Sequence, residues 1–425
     1  MKIGIIGAGF TGISAGLHLA ENGHEVTLIE KDEKPGGLAV GFRVDQWNWT
    51  LEKHYHHFFT NDSTALLLAK KIGHPIVIKR PKTSIHIDNK IYQLDSPLKV
   101  LTFSKLNFFE RIRMATILGL LRYNPFWKPL EKIKAVDFLS KTIGKKAYET
   151  VWEPQLSGKF GKYMNEISLA WFWARVRKRT AKLAYPEYGF LNFAENVCNK
   201  IIKSGGSIVF STEVTEIEDK KNKVLVKTSG ENGKHSTYEF DKVIITLPSF
   251  LFLKLVKNLP EDYKKNMARL KSLGAINLVL RLKKPFFKDD TYWLSICDKK
   301  SPIMAIVEHT NFINKKNYGQ EHIIYVGKYL PPQHPYFSKT AEELLEIYDP
   351  YLEKINKNYK DSIIAYHLFK DPFAQPIISV NYSAVVPVFN SPLKNIYIAN
   401  IQQVYPWDRG TNYAIELGEK VAKII

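Results

Sequence analysis

Lys2-Ile3-Gly4-Ile5-Ile6-Gly7-Ala8-Gly9-Phe10-Thr11-Gly12 is the stretch that decides how this chain folds. Ile3 to Ile6 reads as a buried strand. From Gly12 to Asn22 the apolar residues Ile13, Leu17 and Ala20 recur on one helical face, and Glu25-Val26-Thr27-Leu28-Ile29-Glu30 reads as a second strand. The expected unit is therefore strand, helix, strand, with Gly7-x-Gly9-x-x-Gly12 at its first turn. That spacing in that context is a dinucleotide fingerprint. Gly7 permits the tight turn, Gly9 lets the backbone approach a pyrophosphate, and Gly12 allows close helix packing. Phe10 and Thr11 lie within this turn, just before a helix whose N-terminal N–H groups face the anion, and Glu30, followed by Lys31, is placed to accept ribose hydroxyls.

Nicotinamide and flavin dinucleotides both use this turn, so the choice comes from elsewhere. Lys34-Pro35-Gly36-Gly37-Leu38 follows Glu30, and its paired glycines let the backbone pass close to the longer diphosphate and ribityl portion of FAD. Near the other end, Tyr405-Pro406-Trp407-Asp408-Arg409-Gly410-Thr411-Asn412 precedes a last helical stretch from Gly410 to Ile425. A helix N-terminus there would aim N–H groups at the flavin pyrimidine ring and stabilise negative charge on it. Gly410 carries that expectation most directly, with Arg409, Thr411 and Asn412 around it. Both features favour FAD.

Outward from these motifs, 425 residues are more than one core usually organises, and two domains are expected. With 45% hydrophobic and 24% charged residues the composition is that of a globular protein. The net charge of +19 creates a field that attracts anions, but no finger or RNP pattern accompanies the scattered lysines, and nucleic acid is not an expected partner. Cys198 and Cys297 alone offer neither a disulfide framework nor thiolate metal spacing, so a reducing, cytoplasmic setting is expected. The first apolar stretch is too short and glycine-punctuated for a signal peptide or span.

The remaining pattern predicts a hairpin over Ile76–Arg80, Thr83–Asp88 and Lys90–Leu94, then a basic helical insertion from about Leu98 to Leu183. A helix over Phe190–Ser204 leads to strands at Ser207–Phe210, Glu213–Glu218, Val224–Thr228 and Lys242–Thr246. Five or six further strand candidates between Leu273 and Val386 suit an antiparallel sheet. The expected fold class is α/β: a split Rossmann-like FAD-binding domain of residues 1–75, 185–250 and 385–425, with an α+β substrate domain of residues 76–184 and 251–384.

In order along the chain, the Gly7 fingerprint, Glu30, Gly36-Gly37, the Gly205-Gly206-Ser207 strand, Val243-Ile244-Ile245-Thr246-Leu247-Pro248 and the C-terminal segment resemble one family. It is the superfamily of flavin-dependent amine oxidases, protoporphyrinogen oxidases and phytoene desaturases, with UDP-galactopyranose mutase as a cousin. Trp152-Glu153-Pro154, Gly158-Lys159-Phe160-Gly161, Ala170-Trp171-Phe172-Trp173-Ala174-Arg175 and Asp408-Arg409-Gly410-Thr411-Asn412 resemble a bacterial protoporphyrinogen oxidase-like group. The resemblance implies bound FAD, with Val214 at the adenine, Asn400 where the family has a ribityl-binding carboxylate, and Leu38 where amine oxidases proper have Arg. These two departures leave Asn400 a neutral contact and weaken amine oxidation as the reaction.

Glu52-Lys53-His54-Tyr55-His56-His57 falls where the family chain passes the flavin. His54 and His57 match a His-x-x-His pair of the mutase and are the candidate catalytic residues, as acid, base or flavin contacts. No carboxylate or cysteine completes a ligand set, so no metal is expected. The basic, aromatic run Leu98–Lys134 reads either as a surface that docks on an anionic membrane, peripheral to its inner face, or as a cavity wall with its aromatics buried. The expected function is FAD-dependent oxidation or desaturation of a small or lipidic organic substrate, isoprenoid or tetrapyrrole in kind, by hydride transfer to flavin N5. The alternative is a mutase-like, non-redox use of flavin on a nucleotide sugar.

Overall fold

The computed structural model describes residues 1–230 and 233–425. A five-stranded parallel sheet is ordered Ser207–Val209, Glu25–Ile29, Lys2–Ile6, Lys242–Ile245 and Ile396–Ile398. Ile5 lies opposite Leu28 on one side and Ile244 on the other. Ile3, Ile5 and Ile6 are all buried. This is why Lys2–Ile6 reads as a continuous apolar run rather than an alternating one: a parallel strand covered on both faces has no solvent side.

The helices Phe10–Glu21, Phe190–Lys203 and Thr411–Ala422 cover one face of this sheet. A second, antiparallel sheet of Thr212–Lys220, Lys223–Gly230 and His235–Phe240 packs on the other through Val214, Val226 and Phe240 against Ile6, Ile29 and Ile245. The first and last helices meet with no spare space, because a Cβ on Gly418 would overlap the Thr11 carbonyl. Ser14 Oγ donates to the Ile415 carbonyl at 2.9 Å.

The other large sheet has seven strands, ordered Ile363–Pro376, Ser272–Leu282, His322–Leu330, Ala305–Glu308, Thr291–Ile296, Lys82–Ile87 and Lys90–Gln93. It is antiparallel except where Thr291–Ile296 runs parallel to Lys82–Ile87. Strand alternation gives its two faces different tasks. Ile276, Leu278, Leu280 and Leu282 pack with Leu344, Tyr348 and Leu352 of the helix Ala341–Leu352, whereas Val279 belongs to the core shared with the parallel sheet. Helices Phe108–Tyr123, Ala135–Thr142 and Leu169–Lys178 form the insertion where the periodicity places helical runs, and Glu153–Phe160 adds a helix that no periodic run announced.

The hairpin expectation is half corrected. Lys82–Ile87 and Lys90–Gln93 do pair, but Ile76–Lys79 pairs instead with Leu183–Pro186, which also pairs Phe58–Phe59. Pro81, which cannot donate to a ladder, marks where the chain leaves one sheet for the other. The strand His235–Phe240 was not expected from the sequence.

Candidate functional site

At the first turn, the carboxylate of Glu30 accepts the Ala8 N–H at 2.6 Å and the Asp32 N–H at 3.0 Å. Glu30 is buried, and that burial raises its pKa, opposed by the two backbone donors. The Gly36 N–H donates to the Ala8 carbonyl at 2.9 Å, and Gly9 and Gly36 form a parallel bridge. A Cβ at Gly12 would overlap the Gly7 carbonyl oxygen, and one at Gly37 would press on the Gly9 backbone at 3.1 Å. Gly7, Gly36 and Gly37 have φ of 101°, 124° and 56°, values that glycine adopts without strain. The structure thus brings the two glycine motifs together beside Glu30.

The helix Phe10–Glu21 starts buried, with no side chain capping it and no carboxylate in its first turn. Its leading N–H groups therefore lack the partners that helix ends require, as suits a bound pyrophosphate. Phe10 itself packs on Phe190 and Phe193, so what it offers is backbone. Thr11 is buried, Lys31 is exposed, and Val214 is buried next to Ile6 and Ile29. The residues present fit FAD, whose diphosphate this turn would hold.

The Asn400 side chain has protein partners at both of its polar atoms, with acceptor capacity left on Oδ1. Its Nδ2 donates to the Leu247 carbonyl at 3.0 Å and to Ser249 Oγ at 3.2 Å, while Oδ1 accepts the Gln402 N–H at 3.0 Å. Asn412 Oδ1 accepts the Ala65 N–H at 3.0 Å, tying the last helix to the start of Ser63–Ile72. Thr411 is buried. Gly410 is extended, and the nearest atom to a Cβ built there is Tyr413 Cδ2 at 3.8 Å, so the protein alone would accept a side chain.

Arg409 points the other way, donating to Gln375 Oε1 at 3.1 Å and to the Tyr329 hydroxyl. Arg409 and Tyr329, with Leu38, His54, Tyr55, His56, Ala275, Asn277 and Ala374, line a small cavity of about 270 Å³. Two larger ones adjoin it through the shared Tyr55 and Tyr329. One, of about 580 Å³, is walled by Trp152, Leu156, Trp171, Phe172, Trp293 and Met304. The other, of about 1020 Å³, is lined by His56, His57, Arg175, Lys178, Arg179 and Arg409 through Tyr413.

His54 and His57 are not on one strand face: residues 53–57 are irregular, between the short strands Leu51–Glu52 and Phe58–Phe59. His54 Nδ1 lies 2.6 Å from Asn277 Nδ2 and lines the small cavity, whereas His57 Nδ1 lies 3.1 Å from the Tyr292 hydroxyl and lines the largest. His56, between them, lines both and donates from Nδ1 to the His54 carbonyl at 2.6 Å, since a carbonyl can only accept. Burial, with nearby positive charge, pushes His54 and His57 down to about 3 and His56 to about 4. All three are neutral imidazoles at pH 7, able to orient a group or accept a proton weakly but not to act as imidazolium acids.

Sequence reasoning missed Asn277, Tyr329 and Arg179 at this place and gave His56 no role. Lys159, Trp171 and Arg175 stand in the motifs that carry the family resemblance. Trp171 and Phe172 are buried, and they wall the cavity as well. Asp408 joins these elements: it accepts from Trp171 Nε1 at 2.8 Å and faces Lys159 at 3.4 Å and Arg175 at 3.7 Å.

A dinucleotide turn feeding a cavity between a parallel and an antiparallel sheet defines a class of flavoenzyme. The profile of the family described as flavin containing amine oxidoreductase matches residues 10–406, and the chain belongs to that family. It is an FAD-dependent oxidoreductase. Zeta-carotene desaturase of Solanum lycopersicum is 28% identical over 181 residues, which are 36% of this chain and 30% of that one. The 15-cis-phytoene desaturase of Arabidopsis thaliana is 22% identical over 443 residues, 94% of this chain and 75% of the other. A putative protoporphyrinogen oxidase from Exiguobacterium sp. 255-15 has the same fold, with a TM-score of 0.75 at 15% identity, covering 99% of this chain and 98% of that one.

Glu30→Ala is expected to lower FAD affinity by two or more orders of magnitude, since hydrogen bonds to a charged acceptor contribute roughly 1.5–3 kcal/mol each and the Ala8 N–H would lose its acceptor too. Flavin content per protein after purification and an FAD titration of the apoprotein measure this. Normal occupancy would show that another residue holds the ribose.

Proposed function

We propose that the enzyme oxidises or desaturates an organic substrate, apolar in its larger part, in the aromatic cavity beside Tyr55 and Tyr329. The observation that carries this reading is the meeting, at one place between the two sheets, of Arg409–Asn412, His54–His57 and the wall of Trp152, Trp171, Phe172 and Trp293. FAD bound here supplies a hydride acceptor at N5. The chain's own contribution is to orient the substrate, exclude water with aromatic walls and hold neutral histidines at the reacting end. FAD contacts are assigned to Gly7, Gly9, Phe10, Thr11, Gly12, Glu30, Lys31, Gly36, Gly37, Leu38 and Val214, with Asn400, Arg409, Gly410, Thr411 and Asn412 from the other end.

Supply from a membrane is part of the proposal. Phe103 of the basic run is buried, but Leu98, Phe108, Phe109, Leu120, Tyr123 and Phe126 are exposed, Phe109 by 81%. Lone exposed apolar residues are ordinary; six within one short stretch, five of them on the helices Pro97–Leu101 and Phe108–Tyr123, are not. No helix among the described residues is long and apolar enough to cross a membrane. Several neighbouring cations hold helix ends: Arg111 donates to the Leu106 carbonyl at 2.7 Å and Arg113 to the Thr142 carbonyl at 2.6 Å. Aromatic substitutions are therefore the cleaner test than charge reversal.

Wild-type protein is expected to sediment with anionic vesicles at low salt and to be released as salt rises, because attraction of about 1 kcal/mol per cation is screened over about 8 Å at physiological ionic strength. Phe108→Ser/Phe109→Ser/Phe126→Ser should stay in the supernatant. Wild type remaining in the supernatant would remove the membrane from the reading. The redox step is tested by anaerobic bleaching of the bound flavin with lipid extracts. Turnover of a nucleotide sugar without net flavin reduction would instead establish the mutase-like alternative, which the cations of the largest cavity favour.

A further inference from the structure

The largest cavity is lined by five cations, Lys159, Arg175, Lys178, Arg179 and Arg409, and two carboxylates, Asp62 and Asp408. Asp408 already serves Lys159 and Arg175 together, and Asp62 is turned to the Phe59 N–H at 2.8 Å. Arg175 stacks over Trp171, and Lys178 over Trp407. Arg179 and Lys178 form no ion pair among the described residues, and the Arg179 guanidinium has no hydrogen-bond acceptor there. Arg179 keeps an accessible side chain while protein surrounds it, as a residue on the wall of a deep cleft does.

Concentrating like charges in a cleft costs free energy unless an anion compensates it. The cofactor's diphosphate does not explain the cluster, because it belongs to the Gly9 turn, none of whose residues lines this cavity. Guanidinium pairs match oxyanions by bidentate hydrogen bonding, which a lysine cannot do.

Building on the function proposed above, we propose that Arg175 and Arg179, with Lys178, clamp a doubly charged oxyanion of the substrate, whose apolar body extends past Tyr55 into the aromatic cavity. The two cavities share Tyr55, Lys159, Arg175, Trp293 and Tyr329, so a single amphiphilic molecule can occupy both. The chemistry common to a phosphate ester and to a pair of carboxylates satisfies the clamp equally.

FAD-loaded protein titrated with pyrophosphate, and separately with glutarate, at fixed ionic strength tests this. The readouts are the visible flavin spectrum and the melting temperature. Saturable binding of at least one probe is expected, with affinity reduced at least about tenfold in Arg175→Gln/Arg179→Gln. Because Arg175 also pairs with Asp408, Arg179→Gln alone provides a second variant that leaves every observed ion pair intact, and it too should bind the probe more weakly. Response to pyrophosphate alone points to a phosphorylated substrate, and response to glutarate alone to a dicarboxylate. If neither probe binds the FAD-loaded protein, or the variants bind as wild type does, the clamp is wrong while the flavin reading stands. A purified wild type that takes up no FAD would instead defeat the functional reading beneath it.

Discussion

Gly12→Ala is expected to yield protein without bound flavin and with a much lower melting temperature. The methyl group would overlap the Gly7 carbonyl oxygen, which is backbone and cannot rotate aside. Either the helix Phe10–Glu21 moves off the strand Lys2–Ile6, or the turn that joins them deforms. Movement of the helix is opposed from its far side, where Gly418 of the last helix already touches the Thr11 carbonyl. Forced overpacking of this kind costs about 1–3 kcal/mol or more, and the N–H groups at the turn lose their aim as well. The absorbance of flavin relative to protein, with a thermal melt, checks both. A yellow variant of normal stability would mean that the two helices are less tightly wedged than they are drawn.

The second large effect concerns Glu52, which lies next to the irregular His54–His57 segment and is wholly buried. Its carboxylate accepts from the Tyr185 hydroxyl at 2.9 and 2.8 Å and from the Phe190 N–H at 2.9 Å, and its carbonyl accepts from Tyr325 at 2.7 Å. Burial pushes its pKa up to about 7, although the Phe190 and Tyr185 donors oppose this. The folded state therefore holds a proton here that the unfolded chain releases above its ordinary 4.5. The stability this contributes is present below pH 4.5 and is lost as pH rises through 7, by an amount on the order of 3 kcal/mol. Glu52→Gln, always neutral, should flatten that decline and be more stable than wild type at pH 8. Glu52→Ala should be destabilised at every pH, because two buried donors lose their acceptor at about 1–3 kcal/mol each. Denaturant unfolding at pH 5, 6, 7 and 8 follows all three proteins. Parallel slopes for wild type and Glu52→Gln would place the titration elsewhere.

How much could be read without coordinates depended on how local the cause was. Gly7, Gly9, Gly12 and Glu30 are legible because each answers a steric or hydrogen-bonding demand within a few residues of itself. The strand Ile76–Lys79 was misassigned because alternation reports a half-buried strand but not its partner, and Leu183–Pro186 lies far along the chain. Spacing singled out His54 and His57 as a pair, but an irregular backbone turned them to different cavities and brought His56 between them. Asn277 reaches His54 only through the alternation of Ser272–Leu282 and the docking of that sheet, neither of which a single strand announces. Trp171 and Phe172 show a different limit: a side chain that walls a cavity and one that fills a core look alike in sequence, since both are large, apolar and buried. The run Leu98–Lys134 is divided, with Phe103 inside and Phe108, Phe109 and Phe126 outside, a split that its mixture of basic and aromatic residues does not announce.

The parallel sheet takes its edge strand from Ile396–Ile398, and the helix Thr411–Ala422 lies directly against Phe10–Glu21. A ribosome makes these pieces long after the glycine turn they complete. Although domains commonly fold in the order they are made, here the first helix must wait, its face toward the last helix uncovered, while the whole seven-stranded sheet is synthesised. Cofactor capture is thereby deferred to the end of translation, and a chain stalled before Ile396 would leave the ribosome colourless and in need of a chaperone.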